Sequence, residues 1–350
     1  MTGPFGPVEI LVVGEINPDL IVLGVSAITF GQREDLVTST TVTVGSSVAI
    51  TACALSRLGT ATGIVGVVGD DPLGHIVLAK LVERAVSIDR VRTVTGGRTG
   101  SSVILVEADE RRDRHILTDA GVMGDLVAGD VDLDGTGGLR HLHIGSWFLH
   151  SGAVVDFPAL LEEAVSRGLS TSVDPNDDPA RRWDSHLARA LPHVGTFFCN
   201  ESEVLGIAGT LGSDRTADAH RASRRVLAHL APGGTVVLKC GARGAYAHTA
   251  DEVLHVTAPR MDVLDTIGAG DTLSAAFLHA RLRGDGVPRA LRLAVAAGSL
   301  STRRSGGVDG QPTLQEATEC AALLDVTATR PPESPRNPPG SPDEQRTPRE

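Results

Sequence analysis

The sequence predicts an α/β fold, a three-layer sandwich with a mostly parallel central sheet and a small β lid. Three observations predict it. Nearly continuous aliphatic runs ending in glycine alternate with segments of helical periodicity, two Thr- and Val-rich stretches interrupt that alternation, and one glycine-rich turn runs into a long helical pattern. Strands buried on both faces need such unalternating aliphatic runs, and a regular strand–helix succession places helices over both faces of a parallel sheet.

The elements follow in order. "VEILVVG" (8–14) is the first buried strand, and "SVAITACALSRL" (47–58) is a helix closed by Gly59. "GIVGVVG" (63–69) is a second strand, followed by a helix over "LGHIVLAKLVERA". "LHIG" (142–145), "STSVDP" (170–175) and "TVVLKCG" (235–241) are further strands separated by helical segments. The stretches 19–45 and 91–118 carry β-formers and turn residues outside this rhythm, and are expected to join as one antiparallel lid. From about Thr327 seven prolines stand among charged and polar residues, a composition that cannot bury enough apolar surface to fold. The expectation is one domain over 1–326 and a disordered tail over 327–350.

Composition bounds the function. A net charge of −11 leaves no basic surplus to neutralise phosphates, so nucleic acid is not the expected partner. Cys53, Cys199, Cys240 and Cys320 are scattered without metal-ligand spacing and read as reduced thiols. No apolar run reaches ~18 residues and no basic stretch precedes an apolar one at the N-terminus, so a cytoplasmic protein without a membrane partner is expected.

The chemistry concentrates in "VLDTIGAGDTLSAAFLHARL" (263–282). After Asp271, the apolar residues Leu273, Ala276, Phe277 and Ala280 recur at helical spacing. Gly268, Ala269 and Gly270 let an oxyanion approach the unpaired N–H groups and positive dipole of that helix start. On these residues alone Asp271 is either a helix N-cap or a working carboxylate. No GxxxxGK[ST] loop and no GxGxxG after the first strand competes for phosphate.

"DTIGAGD" (265–271) resembles the second signature of the ribokinase-like (PfkB) carbohydrate kinases, D-T-x-G-A-G-D, at all six fixed positions. Other landmarks fall in the family's order: "VVGEINPDLIV", "VGSSVAITACALSRLG", "GVVGDDPLG" (66–74), "SVDPNDDPARRW", "CNESE" (199–203) and "KCGARGA". The resemblance covers roughly residues 8–320. It implies a ribokinase-like fold and ATP- and Mg²⁺-dependent phosphorylation of a hydroxyl on a sugar or sugar-like compound. It implies Asp271 as general base, an anion hole at Gly268, Ala269 and Gly270, and nucleotide contacts at Lys239, Gly241 and Gly244. Asn200 and Glu203 would hold Mg²⁺ and the triphosphate through water, and Asp19, Gly45 and Ser46 would meet the acceptor. The resemblance extends to a monovalent cation and to a homodimer through the lid. Plainer readings stand beside these: a capping pair for Asn200 and Glu203, a hairpin turn at Gly241–Gly244, a solvated loop acid at Asp19. Two departures concern the acceptor. The family's sugar-contacting asparagine is replaced by Ile50, and extra residues separate Asn176 from Arg181 and Arg182. A nucleoside kinase or a non-catalytic sugar-binding relative is the alternative. Phe30 is the only aromatic in the lid stretches, which counts against base stacking. Arg112 and Arg114 read as a solvated lid turn or an anion grip, and His141, His143 and His150 as core or surface residues.

Overall fold

The computed structural model describes residues 7–26, 28, 31, 34–108, 114–134, 138–212 and 216–329. The chain opens with β1 (Ile10–Val13), β2 (Pro18–Val25) and β3 (Ser39–Val44), then α1 (Ser47–Arg57), β4 (Thr62–Gly69) and α2 (Pro72–Glu83). Next come β5 (Ser87–Val94), β6 (Ser101–Glu107), β7 (Arg114–Asp119), β8 (His141–Gly145), α3 (Phe157–Ser166) and β9 (Ser170–Asp174). A short α4 (Leu187–Ala190) leads to β10 (Thr196–Asn200), α5 (Glu201–Thr210), α6 (Ala219–Leu227) and β11 (Thr235–Lys239). The last third holds β12 (Ala245–His248), β13 (Val253–Val256), α7 (Ala269–Leu282), α8 (Val287–Ser301), α9 (Leu314–Ala321) and β14 (Thr327–Thr329).

Ten strands form the main sheet in the order β14-β13-β12-β11-β10-β9-β8-β1-β4-β5. From β11 to β5 the pairing is parallel, while β12, β13 and β14 add an antiparallel edge. Strand alternation sends Ile10 and Val12 into a core shared with α1, α7 and α8, and Leu11 and Val13 into a second core beneath α3, α5 and α6. These two cores make the three layers. α7 is buried almost all round because Ser274, Ala275, Ala276 and Ala280 are small enough for close helix packing, and Phe277 meets Phe198 of β10 edge to face at 5.7 Å. Cys53, Cys199 and Cys240 are buried free thiols and Cys320 is half-buried and free.

The lid is a separate sheet in the order β3-β2-β6-β7. Two expectations are corrected. Residues 91–94 are not lid: they belong to β5, where Gly66 to Gly69 pair with Val91 to Val94 at the edge of the main sheet. An edge strand shares the Val and Thr content of a lid strand, so composition does not separate them. The tail boundary also moves, since Thr327, Ala328 and Thr329 pair with His255, Leu254 and Val253. Exposed strand edges recruit backbone irrespective of side-chain apolarity. The remainder of the expected tail, 330–350, with Phe30 and Arg112, lies outside the described residues.

The β11–β12 connection shows what its glycines are for. Gly241 and Gly244 lie at φ 55° and 91°, and a Cβ on Gly244 would collide with the Val256 carbonyl oxygen. Gly244→Ala should therefore lower the unfolding free energy by at least about 1–2 kcal/mol, the cost of a left-handed L-residue, with the collision added. Urea unfolding of the variant beside Gly209→Ala, an open helical position, measures it.

Candidate active site

The carboxyl ends of the parallel strands converge on one cleft, the usual ligand position for such a sheet. Gly268 is the N-cap of α7, in the left-handed region at φ 71°. A Cβ there would crowd Gly307 and Ile50, so the turn requires glycine. Asp271 therefore sits inside the first helical turn and does not cap it; its side chain is nearly buried. The tight turn directs the Ala269 N–H onto the Thr266 carbonyl at 3.3 Å. Among the described residues the N–H groups of Gly270 and Asp271 meet no acceptor, so they make a cradle that could receive an anion. Asp265 pins the loop, accepting from the N–H groups of Ile267 (2.9 Å) and Gly306 (2.8 Å).

Lys239, at the end of β11, reaches this cradle. Its Nζ is 2.6 Å from Asp174 Oδ2 at the end of β9, an oxygen that also accepts from the Ser274 hydroxyl at 3.0 Å. A Cβ on Gly270 would lie 3.6 Å from Nζ. Asp174, Glu203 and Asp271 all act on this ammonium and hold its pKa above the ordinary range against burial. Burial, opposed by Lys239 and reinforced by Asp174 and Glu15, pushes Asp271 up to about 7. Glu203 is pushed up to about 7, chiefly by burial, with Lys239 acting the other way. Asn200 and Glu203 form a reciprocal capping box on α5: the Asn200 N–H donates to Glu203 Oε2 (2.7 Å) and the Glu203 N–H to Asn200 Oδ1 (2.9 Å). Their side chains are thus fixed at the rim of the cleft, with Asn200 Nδ2 2.6 Å from Glu203 Oε1.

On the other side of the cleft, Asp19 lies on β2 of the lid sheet, buried rather than solvated. Burial first, then Glu15, push it up to about 7, and Arg114 opposes them. Gly45 is needed beside it, since a Cβ would collide with the Asp19 carboxylate. Ser46 caps α1, accepting from the Ala49 N–H at 3.1 Å and donating to the Glu15 carbonyl at 2.8 Å. Ile50 is no ligand; it is buried against Gly268 and Gly307, and its carbonyl accepts from Gln311 Nε2 at 2.9 Å. Arg114 lines a cavity of about 700 Å³ between the lid and residues 263–266, 3.4 Å from the Thr266 hydroxyl. His141 and His143 are buried against Ser170 and Ser172, and burial pushes them down to about 3 and about 4. Sequence reasoning did not single out Glu15, Asn17, Ser47, Ser146 or Asp174. The signal available was position: each stands at or just past the carboxyl end of a buried strand, or at the start of the helix that follows.

A cradle of backbone N–H groups, a buried ammonium and a carboxylate at a helix start make a site that could hold an anionic group beside a proton acceptor. Residues 8–314 match the pfkB family carbohydrate kinase pattern, and the chain belongs to that family. It is 28% identical over 85% of its length, and 93% of the relative's, to an ATP-dependent ribose-1-phosphate kinase of Halopiger xanaduensis. It is 30% identical over 77% of its length, and 88% of the relative's, to a fructokinase of Klebsiella pneumoniae. Among solved structures, a protein described as a ribokinase II from E. coli, in complex with ATP and Mg²⁺, superposes with a TM-score of 0.76 at 24% identity, covering 90% of this chain and 99% of that one. The fold is thus ribokinase-like and the protein a carbohydrate kinase. No helix among the described residues is long and apolar enough to cross a membrane.

The raised carboxylates make a stability prediction. Asp271 is at about 7 in the fold against an ordinary 3.8, so the native state binds more protons than the unfolded chain between those values. Its contribution to stability is complete below about pH 4 and is lost as pH rises through about 7. Asp271→Asn should raise the unfolding free energy at pH 8 by on the order of 1 kcal/mol or more and change it little at pH 4. Equal effects at both pH values in chemical denaturation would exclude the buried-carboxylate account.

Proposed function

We propose that the protein transfers the γ-phosphoryl group of ATP to a hydroxyl of a sugar, with Asp271 as general base. The observation that carries this reading is the juxtaposition at the start of α7: two N–H groups without an acceptor, the Lys239 ammonium, and a buried carboxylate whose pKa is near neutrality. Asp271 takes the proton from the acceptor hydroxyl as that oxygen attacks phosphorus, and a base near ambient pH is the efficient choice. The Gly270 and Asp271 N–H groups and Lys239 face the charge on the migrating phosphoryl, and one such donor contributes roughly 2.7–4 kcal/mol. Gly241 and Gly244 bring backbone close to the nucleotide.

Mg²⁺ fits these residues. Asp174 Oδ1 is buried without a hydrogen-bond partner, a lone pair that a hydrated cation would satisfy, and Glu203 would reach the same ion through water. Mg²⁺ of this kind is held mainly by phosphate oxygens and water, with one or two carboxylates, and when bound it neutralises charge on the triphosphate. The resolved complex with ATP and Mg²⁺ named above supports both ligands here.

On the acceptor side, Asp19 grips two hydroxyls of the sugar, with Gly45 leaving room for it and Ser46 fixing the start of α1. The lid strands carry no Phe, Tyr or Trp to stack a base, which favours a sugar over a nucleoside. Leu20, Val42 and Leu117 are exposed and, with Val103, lie in one cross-strand row on the lid; they are the natural seat of a homodimer.

Two measurements test the reading once a panel of sugars with ATP has yielded an acceptor. Asp271→Asn should lower kcat by ~100-fold or more with ATP affinity little changed, and wild-type kcat should climb with pH through about 7. A variant with near-normal turnover would sink the assignment. Asp19→Ala should raise the acceptor KM steeply and leave the ATP KM nearly unchanged; equal damage to both would make Asp19 a structural residue.

A further inference from the structure

A second cavity, of about 540 Å³, opens at the end of α7 remote from Asp271. From Asp271 to Arg283 the helix runs roughly 18 Å, at 1.5 Å per residue, so the cavity shares no side chain with the cleft. Its walls are the last turn of α7, the first two turns of α8 and one face of α9. Their chemistry divides in two. Arg289 and Arg292 stand three apart on α8 and share a face of that helix, and Arg283 lines the same space from the end of α7. Leu293, Leu314 and Ala321 supply an apolar wall, and Leu314 leaves 39% of its surface uncovered.

The three guanidiniums differ in what already holds them. Arg283 meets both Glu9 oxygens, at 2.6 and 2.9 Å, and donates to the Gly59 carbonyl at 3.1 Å. Arg289 meets Asp285 at 3.1 Å, but its side chain is largely exposed, and such pairs are weak. Arg292 is half-buried and, among the described residues, has neither an ion pair nor a hydrogen bond. Buried behind them, His279 is fixed by Nδ1 on the Thr60 hydroxyl at 2.7 Å, and its Nε2 has no partner among the described residues. Of the carboxylates only Asp285 lines the cavity, against three guanidiniums, in a chain whose net charge is −11. The local sign is opposite to that of the protein. A half-buried guanidinium without an acceptor keeps its donors unsatisfied at a cost, and its planar fork matches phosphate and carboxylate oxygens.

We propose that this cavity is a second binding site of the protein, for a small organic oxyanion. Its phosphate or carboxylate group lies on Arg292 and Arg289, and its apolar body lies against Leu293, Leu314 and Ala321. Arg283, locked to Glu9, is a fixed wall that adds positive potential. Arg289 can turn from Asp285 to the anion because the pair it leaves is exposed. The volume suits such a ligand, since small-molecule pockets run from about 300 to 1,000 Å³. No residue of the cleft takes part, so the site does not depend on the kinase reading.

The test is NMR on the full chain with carbon-13 in the alanine and leucine methyl groups. Leu314→Met and Ala321→Ser identify the two reporter signals by their loss. The probes are phenyl phosphate, benzoate, inorganic phosphate and benzyl alcohol. Phenyl phosphate or benzoate should move both signals saturably, and the tighter of the two shows whether the oxyanion is a phosphate or a carboxylate. Inorganic phosphate lacks the apolar body and should bind several-fold more weakly, while benzyl alcohol lacks the charge and should not saturate. Arg292→Ala should weaken the binding by about tenfold or more, the scale of one charge-assisted hydrogen bond. Asp271→Asn, in the cleft, should leave it unchanged. The proposal is overturned if neither aromatic anion moves the signals saturably, or if Arg292→Ala binds as tightly as the wild-type protein. Inorganic phosphate or benzyl alcohol binding as tightly as the aromatic anions overturns it too. Should Arg292→Ala not fold, unchanged affinity in Arg292→Gln and in the exposed Arg289→Ala is equally decisive against it.

Discussion

One buried ion pair organises the cleft. Lys239 and Asp174 close to 2.6 Å across the ends of β11 and β9, with β10 between them, and Ser274 of α7 donates to the same carboxylate oxygen. Two strands that are not neighbours in the sheet are thereby locked to the helix that carries Asp271. Taking an ammonium and a carboxylate out of water costs several kcal/mol per ion, and good geometry and further hydrogen bonds are needed to offset it. The pair is therefore poor evidence of stability for its own sake. Its consequence lies in what it tolerates nearby: with Glu203 and Asp271 also buried, three carboxylates surround one ammonium. Burial, reinforced by the neighbouring negative charge, raises Glu203 and Asp271 towards neutrality, and Asp174 Oδ1 has no hydrogen-bond partner among the described residues. On the proposed reading, a cation arriving with a polyphosphate would relieve that excess, and the site's electrostatic strain and its ligand preference would have the same origin.

Much of the architecture was legible because burial writes itself into composition. "VEILVVG" and "GIVGVVG" read as strands buried on both faces, and they are the adjacent centre strands β1 and β4. The turn before α7 was equally plain, since a left-handed Gly268 packed against Gly307 has no substitute. The lid was harder to delimit. Edge strand β5 and lid strand β6 are separated by Gly96 and Gly97, and nothing in Val91 to Val94 says which sheet they pair with. Propensity describes a pleated surface, and pairing is decided by tertiary contact.

The site divided along a similar line. Residues whose role follows from local backbone, such as Gly268, Gly270 and Gly244, could be named from the chain. Glu15, Ser146 and Asn176 could not, because each matters through partners 30 to 131 positions away, brought together only when β1, β8 and β9 pair. Asp71 illustrates the opposite error to guard against. In "GVVGDDPLG" it resembles a motif residue, yet it caps α2 by accepting from the Gly74 N–H (2.8 Å) and also accepts from the Thr99 N–H (2.8 Å) and hydroxyl (2.6 Å). It anchors the chain where it leaves β5 for the lid, so a motif position can serve the lid's attachment.

Ile50 packs against the Gly268 turn from α1. An asparagine there would place an amide among Gly268, Gly307 and Ile267, where burying a polar group without partners is costly. The isoleucine instead packs the back of the turn, and acceptor contacts must come from elsewhere in the cleft. In the stretch Glu15–Asp19, Asn17 Nδ2 is 3.4 Å from Asp19 Oδ1, and the Asn17 Oδ1 is buried without a partner among the described residues. An acceptor hydroxyl would satisfy that oxygen. On the proposed reading, sugar recognition would move from the first turn of α1 to the crossing from β1 into the lid, the segment whose Glu15 also bears on Asp271. Substitutions that change which sugar is accepted would then act on a segment whose Glu15 also bears on Asp271, and specificity and turnover should be hard to alter separately.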